Sequence, residues 1–529
     1  MNMNGLRPGT VIGMLLSFTA AAIPEGPSYP SAAWIAREQQ NYAIVLQAPT
    51  EEAASATFLL QWQMQGLANT QSWLARATAD PSWLSPLSGN SPLTPLCTQW
   101  TEQCVGNPFR YPGTDPFYAS VGEVTPVVFY DSGCARLSGT LWKPQNVPPG
   151  VTLPGVVIDN GSIEAPQTLY WWAAEVLVSN GYVVLTFDPR GQGRSDEQTP
   201  TGTQGTNLNV SVFWTGLVDA IDFFRSTPGQ TFPNNKTCAG TYPTVVNDFN
   251  PYYNLIDPTR LGIAGHSAGA EGVSIVQGYG GTNAAPWPGK IDKTNPVRVA
   301  VAWDGLVGPN GQGFGGAGGT IPLPISVTAG TTVPAFAARV PSMDLDSEYG
   351  LDPIPYTAPP DPEDHKLAYD QWKAVGEPVF GITIQGSTHY DYSTLPTFPA
   401  SSWCPNIQNN QCVGGWGNPM AQYYTLAWFD RWLKNPDETG YADADQRLLD
   451  DSGPQGSVKM SFYSRSARYF PDRSGSLHDC EDIRAGCADA QSTGAGSSGS
   501  ASPSSSGGAL APWTLFGLAL LGRARRRKR

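Results

Sequence analysis

Beyond about residue 120, short apolar runs alternate with longer stretches in which apolar residues recur three and four positions apart. The runs at residues 155–159, 182–187, 261–265, 297–303 and 378–385, with a shorter one at 340–345, read as strands buried on both faces. Between them, residues 168–180, 210–225, 268–277 and 364–375 carry helical spacing and read as crossover helices. Residues 124–130 and 135–142 read as an antiparallel pair that opens the sheet. This order predicts an α/β fold, a mainly parallel sheet flanked by helices. Upstream, helical periodicity from Trp34 to about Trp83, through Ile35, Ile44, Leu59, Leu60, Trp62, Leu67, Trp73 and Leu74, predicts an N-terminal helical extension. Residues 86–118, rich in Pro, Gly and Thr, read as an irregular segment, and no internal repeat is visible.

Composition narrows the class. The 31 Lys+Arg against 44 Asp+Glu leave a net charge of −13, which argues against a nucleic-acid partner. With 58 Gly and 48 Pro the loops are long, yet 17 Trp, 21 Tyr and 19 Phe supply ample apolar surface for a packed core. Eight cysteines include three close pairs, Cys97 with Cys104, Cys404 with Cys412 and Cys480 with Cys487, leaving Cys134 and Cys238. Four disulfides follow naturally, though spacing does not set their connectivity. No pair has C-x-x-C spacing and the chain has four histidines, so a metal site is not expected.

Both ends read as addresses. Arg7 followed by apolar residues 11–22 predicts a secretory signal peptide cleaved near Ala20 to Ala22. A Ser/Gly/Ala linker at 492–508, apolar residues 509–522 and the basic cluster 523–529 resemble a Gly-Gly C-terminal sorting signal of Gram-negative bacteria. That resemblance implies transient membrane contact through the tail, removal by a processing protease, and delivery to the cell surface or the medium. The expected organisation is a signal peptide at 1–22, a helical and loop region at 23–120, a catalytic domain at 121–475, a cysteine pair and linker at 476–508, and the sorting tail at 509–529.

Gly265-His266-Ser267-Ala268-Gly269 lies between the strand at 261–265 and the helix at 268–277. A serine there reads as the nucleophile of a sharp strand-to-helix turn, where flanking glycines relieve crowding. Two further segments, Asp188-Pro-Arg-Gly-Gln-Gly-Arg-Ser-Asp196 after the strand at 182–187 and Asn160-Gly161-Ser162 after that at 155–159, complete a likeness. From about residue 121 to Leu433 the chain resembles an α/β-hydrolase of the serine esterase type. Asn160 stands where that family usually has histidine. The resemblance implies an oxyanion site of backbone N–H groups from Ala268 and from Ser162 or Ile163.

Of the histidines, His266 adjoins the serine, His365 lies in a charged helix start and His478 in an acidic peripheral segment. His389 follows the strand at 378–385 in the chain order expected of the catalytic base. For the acid, Glu348 is favoured narrowly over Asp304, with Asp346 and Asp344 behind; the first lies after the strand at 340–345 and the second ends that at 297–303. The loops at 305–319, 351–362 and 396–417, the last with Trp403 and Trp416, predict a shaped, partly apolar cleft for a small-molecule or polymeric ester. A peptidase or amidase with the same triad, or a catalytically silent binding protein, are the alternatives.

Overall fold

The computed structural model describes residues 26–84, 115–162, 165–205, 209–309, 332–351, 353–394, 407–408, 411–412 and 417–487. The expected signal peptide and sorting tail, and Cys97, Cys104, Cys404 and Ile163, lie outside the described residues.

Two helices, α1 (Ala32–Ala54) and α2 (Ala56–Ala79), form the N-terminal extension, and a short α3 (Asp115–Ser120) leads into the core. There follow β1 (Gly122–Tyr130), β2 (Arg136–Pro144), β3 (Leu153–Asp159), α4 (Trp171–Ser179), β4 (Val183–Phe187), α5 (Ser211–Arg225) and α6 (Pro233–Thr237). Next come β5 (Ile256–His266), α7 (Ala268–Gly278), β6 (Val297–Trp303), β7 (Ser342–Ser347), α8 (Leu367–Ala374) and β8 (Val379–Ile384). A two-stranded ribbon of β9 (Ile407–Gln408) and β10 (Gln411–Cys412) precedes α9 (Gly417–Leu433), α10 (Ala444–Leu449), β11 (Ala467–Pro471) and β12 (Leu477–Cys480).

Ten strands make one sheet in the order β1-β2-β4-β3-β5-β6-β7-β8-β11-β12. From β4 to β8 every pairing is parallel; β1, β2, β11 and β12 add antiparallel pairs at the two edges. The expected α/β architecture is therefore present. Helices cover both faces of the parallel strands, which are accordingly mostly apolar; β7 is the exception, with Ser342, Asp344 and Asp346 buried on one face. Val156, Ile158, Val301 and Ile382 pack under Trp171 and Trp172 of α4 and Trp428 of α9. Val157, Leu185, Ile263 and Ala300 face Trp214 and Phe223 of α5 and Ile275 of α7. Parallel pairing also sends the carboxyl ends of β3, β5, β6, β7 and β8 to one edge of the sheet, so the residues that follow them converge there.

Several elements went unannounced by the sequence pattern, among them α9, β11 and β12. The helix α9 is buried over much of its circumference, which blurs its polar face. Strands β11 and β12 are short and carry Arg468, His478 and Asp479, unlike a buried run. Because β12 pairs with β11, the sheet continues past residue 475 to Cys480.

The extension is tied to the core at two places. Glu38 on α1 accepts hydrogen bonds from the Tyr349 hydroxyl at 3.1 Å, the Tyr356 N–H at 2.8 Å and the Tyr463 hydroxyl. After α2, Trp83 lies between the guanidinium groups of Arg76, 3.3 Å from its ring centre, and Arg136, 3.5 Å away. Arg136 is paired in turn with buried Asp196 at 2.9 Å.

Disulfides join Cys134 to Cys238 and Cys480 to Cys487, and both point to a non-reducing environment. Among the described residues, no helix is long and apolar enough to cross a membrane.

Candidate functional site

Ser267 caps α7 directly after β5 with φ 57° and ψ −124°, a conformation that costs a non-glycine residue about 1–3 kcal/mol. The two glycines beside it have a concrete reason. A Cβ at Gly265 would lie 2.4 Å from the Gly269 carbonyl oxygen, and one at Gly269 would lie 2.3 Å from the Asn160 carbonyl oxygen. Strand β3, the turn and the helix thus approach too closely for any side chain.

The loop after β3 lies against the serine. A Cβ on Gly161 would sit 3.3 Å from Ser267 Cβ and 2.9 Å from the Tyr170 hydroxyl. Asn160 faces elsewhere, donating to Asp188 Oδ1 at 2.9 Å and to the Ala165 carbonyl at 3.0 Å, so it fastens this loop to the turn after β4. There Asp188 also accepts from Gln167 N–H at 2.6 Å and Arg194 N–H at 2.9 Å, while burial raises its carboxyl to about 6. Ala268 is buried at the first position of α7, where backbone N–H groups lack helical partners, and Ser162 is half-buried.

His389 opens a short 3₁₀ turn, capped by Thr388 and Asp391, after β8. Its Nδ1 is hydrogen-bonded to Asp304 Oδ2. Asp304 follows β6 with φ 56° and is held by Leu345 through its N–H (2.8 Å) and by Ser347, whose N–H and hydroxyl donate to the carboxylate at 2.6 and 2.8 Å. Burial alone would raise this carboxyl, but hydrogen bonds from His389 and Ser347 and the charge of His389 outweigh it and lower it to about 2. The next residue, Gly305, is so close to the serine turn that its Cβ would lie 3.0 Å from the Ser267 carbonyl oxygen. Ser267, His389 and Asp304 thus share one edge of the sheet.

Glu348, the carboxylate the sequence favoured, is not on His389. Its Oε2 accepts from Gly386 N–H and Asn41 Nδ2, both at 2.6 Å, and its Oε1 from the Ser461 hydroxyl at 2.5 Å. One residue beyond β7, the chain turns Glu348 toward α1 and the loop that precedes His389. Asp344 accepts from Leu306 N–H at 3.4 Å, and Asp346 lies 3.7 Å from His365 Nδ1. Of the four candidate acids, Asp304 has the His389 contact.

One neighbour has a part that sequence reasoning missed. The carbonyl of His389 can only accept, so the 2.8 Å contact from His266 Nε2 requires that nitrogen to carry the proton. His266 Nδ1 then accepts from the Tyr170 hydroxyl at 2.8 Å, and Tyr170 accepts from Gly161 N–H at 3.0 Å. Burial, then His389, lowers His266 to about 3 and keeps it neutral. A fixed chain of hydrogen bonds therefore runs from the Gly161 loop to the His389 loop. No local pattern signals it, because Tyr170 and His389 lie far from His266 in the chain.

Fold and site together define an α/β protein with a Ser, His and Asp constellation at the carboxyl ends of parallel strands. Compared with known protein families and with curated proteins, the chain matches none.

Proposed function

We propose that this protein is a serine hydrolase of the α/β-hydrolase type that cleaves carboxylic esters. The contact between His389 and Asp304, beside a serine held at positive φ, carries the reading. Asp304 would fix the imidazole with its proton on Nδ1 and stabilise it once charged, leaving Nε2 as the base that takes the Ser267 proton. Ser267 would attack the ester carbonyl, the alcohol would leave, and water would release the acid from the acyl-enzyme. Backbone N–H groups of Ala268 and of Ser162 or Ile163 would hold the oxyanion. This chemistry calls for the chain's own groups and water. The disulfides fit an exported enzyme, and a small-molecule or polymeric ester is the substrate class.

The test is covalent labelling by a fluorophosphonate together with hydrolysis of nitrophenyl esters, in the wild type and in Ser267→Ala. Labelling and turnover are expected in the wild type and absent in the variant, with a fall in turnover of about 10⁶-fold. A folded wild type that takes no label would overturn the assignment.

A further inference from the structure

Glu271 lies one turn into α7, its N–H donating to the Ser267 carbonyl at 3.1 Å. It is 9% exposed, and among the described residues its carboxyl has neither a hydrogen-bond donor nor a cation. It opens instead onto a cavity of about 180 Å³ whose other walls are Ile275, Val307, Pro309, Val333 to Ala335, and Phe336. This cavity is built on the same helix that Ser267 caps and on the same loop that Asp304 opens. Val307 is three residues beyond Asp304, and its N–H donates to the Ser274 hydroxyl on α7 at 3.0 Å.

A carboxylate taken out of water without a partner is costly: it is met by a cation, a metal or strong donors, or it holds its proton until one of them arrives. Here the remaining lining is apolar, with one aromatic ring, the surroundings that suit an ammonium group on a hydrocarbon stem. The chain's net charge of −13 favours the same sign of ligand.

We infer that this cavity is a subsite for the ammonium-bearing part of the substrate, with Glu271 as its counter-ion. The inference rests on the proposed esterase reading for the reaction, while the cavity can be tested apart from it. Burial raises the free Glu271 carboxyl to about 8, so at neutral pH it is mostly protonated until a cation arrives. An arriving ammonium would pair with the carboxylate, and the carboxyl proton would pass to the buffer.

The experiment is calorimetric titration of the full chain with n-hexylammonium and with the neutral 1-hexanol, at pH 7 in buffers of differing ionisation enthalpy. Hexylammonium is expected to bind about tenfold or more tighter than hexanol and to release most of one proton. Both effects should vanish in Glu271→Gln. Val333→Trp, at a position 38% exposed on the rim, narrows the cavity without touching α7 and should weaken hexylammonium binding even if the first variant folds poorly. Equal binding of the two ligands, tighter binding of hexanol, or a preference that survives Glu271→Gln would overturn the inference. Hexylammonium should also compete with nitrophenyl esters for turnover; non-competitive inhibition would detach the cavity from the ester site. Binding that passes these criteria in a protein whose Ser267 takes no fluorophosphonate would leave the ammonium subsite standing and remove the esterase reading instead.

Discussion

Asp304 and Glu348 are two fully enclosed carboxylates at the ends of neighbouring parallel strands, yet they are held in opposite ways. Asp304 faces an imidazole and two donors of Ser347, and its carboxyl falls to about 2. Glu348 faces neutral donors only, from Ser461, Gly386 and Asn41, and burial leaves its carboxyl raised. Similar burial thus yields opposite shifts, because the contacts with His389 and Ser347 outweigh desolvation at Asp304, whereas the neutral hydrogen bonds at Glu348 offset it only in part and the charge of Glu38 adds to it. The first arrangement suits a group that must stay charged beside a base. The second suits a brace, since Glu348 joins α1 through Asn41 to Gly386, three residues before His389. Glu271 is a third case, a buried carboxyl with no partner at all among the described residues.

The comparison is most exposed to Asp304→Asn. Loss of the proper imidazole tautomer is expected to lower kcat about 10⁴-fold with the fold intact. Glu348→Gln should leave kcat within about threefold. If the two variants lost turnover alike, the division into orienting group and brace would be wrong, and a pre-steady-state ester assay on both decides it.

Next in size is the pH response of Glu271. Its folded value of about 8 lies above the ordinary value of 4.5, so the native state binds the extra proton, and wild-type stability should decline as pH rises from 4.5 through 8. Glu271→Gln should decline less steeply, since buried Asp188, Asp219 and Asp222 are raised too, and should gain a few kcal/mol on the wild type near pH 9, by order of magnitude. Denaturant melts at pH 5, 7 and 9 measure it, and parallel curves for both proteins would count against an unpartnered acid.

Asp304 has the opposite sign. Its folded value of about 2 lies below the ordinary 3.8, so the stabilisation is complete above pH 4 and fades as pH falls toward 2. The stability gap between wild type and Asp304→Asn should therefore narrow by roughly 2 kcal/mol over that interval, as read by urea titration. The smallest effect belongs to Glu348→Gln, which weakens the charge-assisted bonds from Ser461, Gly386 and Asn41 and should cost about 1–2 kcal/mol at pH 7. A loss of α1 docking should accompany it, visible as faster proteolysis between α1 and the core.

Much of the scaffold was legible in the chain because its causes are local. The runs ending at Asp159, Phe187, Gly265 and Trp303 are apolar at successive positions, and strands β3, β4, β5 and β6 occupy them. The glycines around Ser267 were legible for the same reason, since the crowding they relieve arises within five residues of chain and one neighbouring strand. His389 could be singled out because few histidines were available.

The choice of acid was of another kind. Asp304 and Glu348 follow strands of similar pattern, and what separates them is which loop each carboxylate meets across the sheet edge. Parallel pairing of β6 with β7 and of β7 with β8 sets that, bringing Ser347 and His389 to Asp304 and leaving Glu348 to the helix α1. The neutral state of His266 and the solitude of Glu271 were likewise invisible, since both follow from groups distant in sequence and from the exclusion of water. Sequence by itself determined strands β1 to β8, the crossover helices and the strained serine turn, which depend on near neighbours and side-chain periodicity. Tertiary structure alone decided which buried carboxylate has an imidazole partner, because desolvation and pairing exist only once the strands have packed edge to edge.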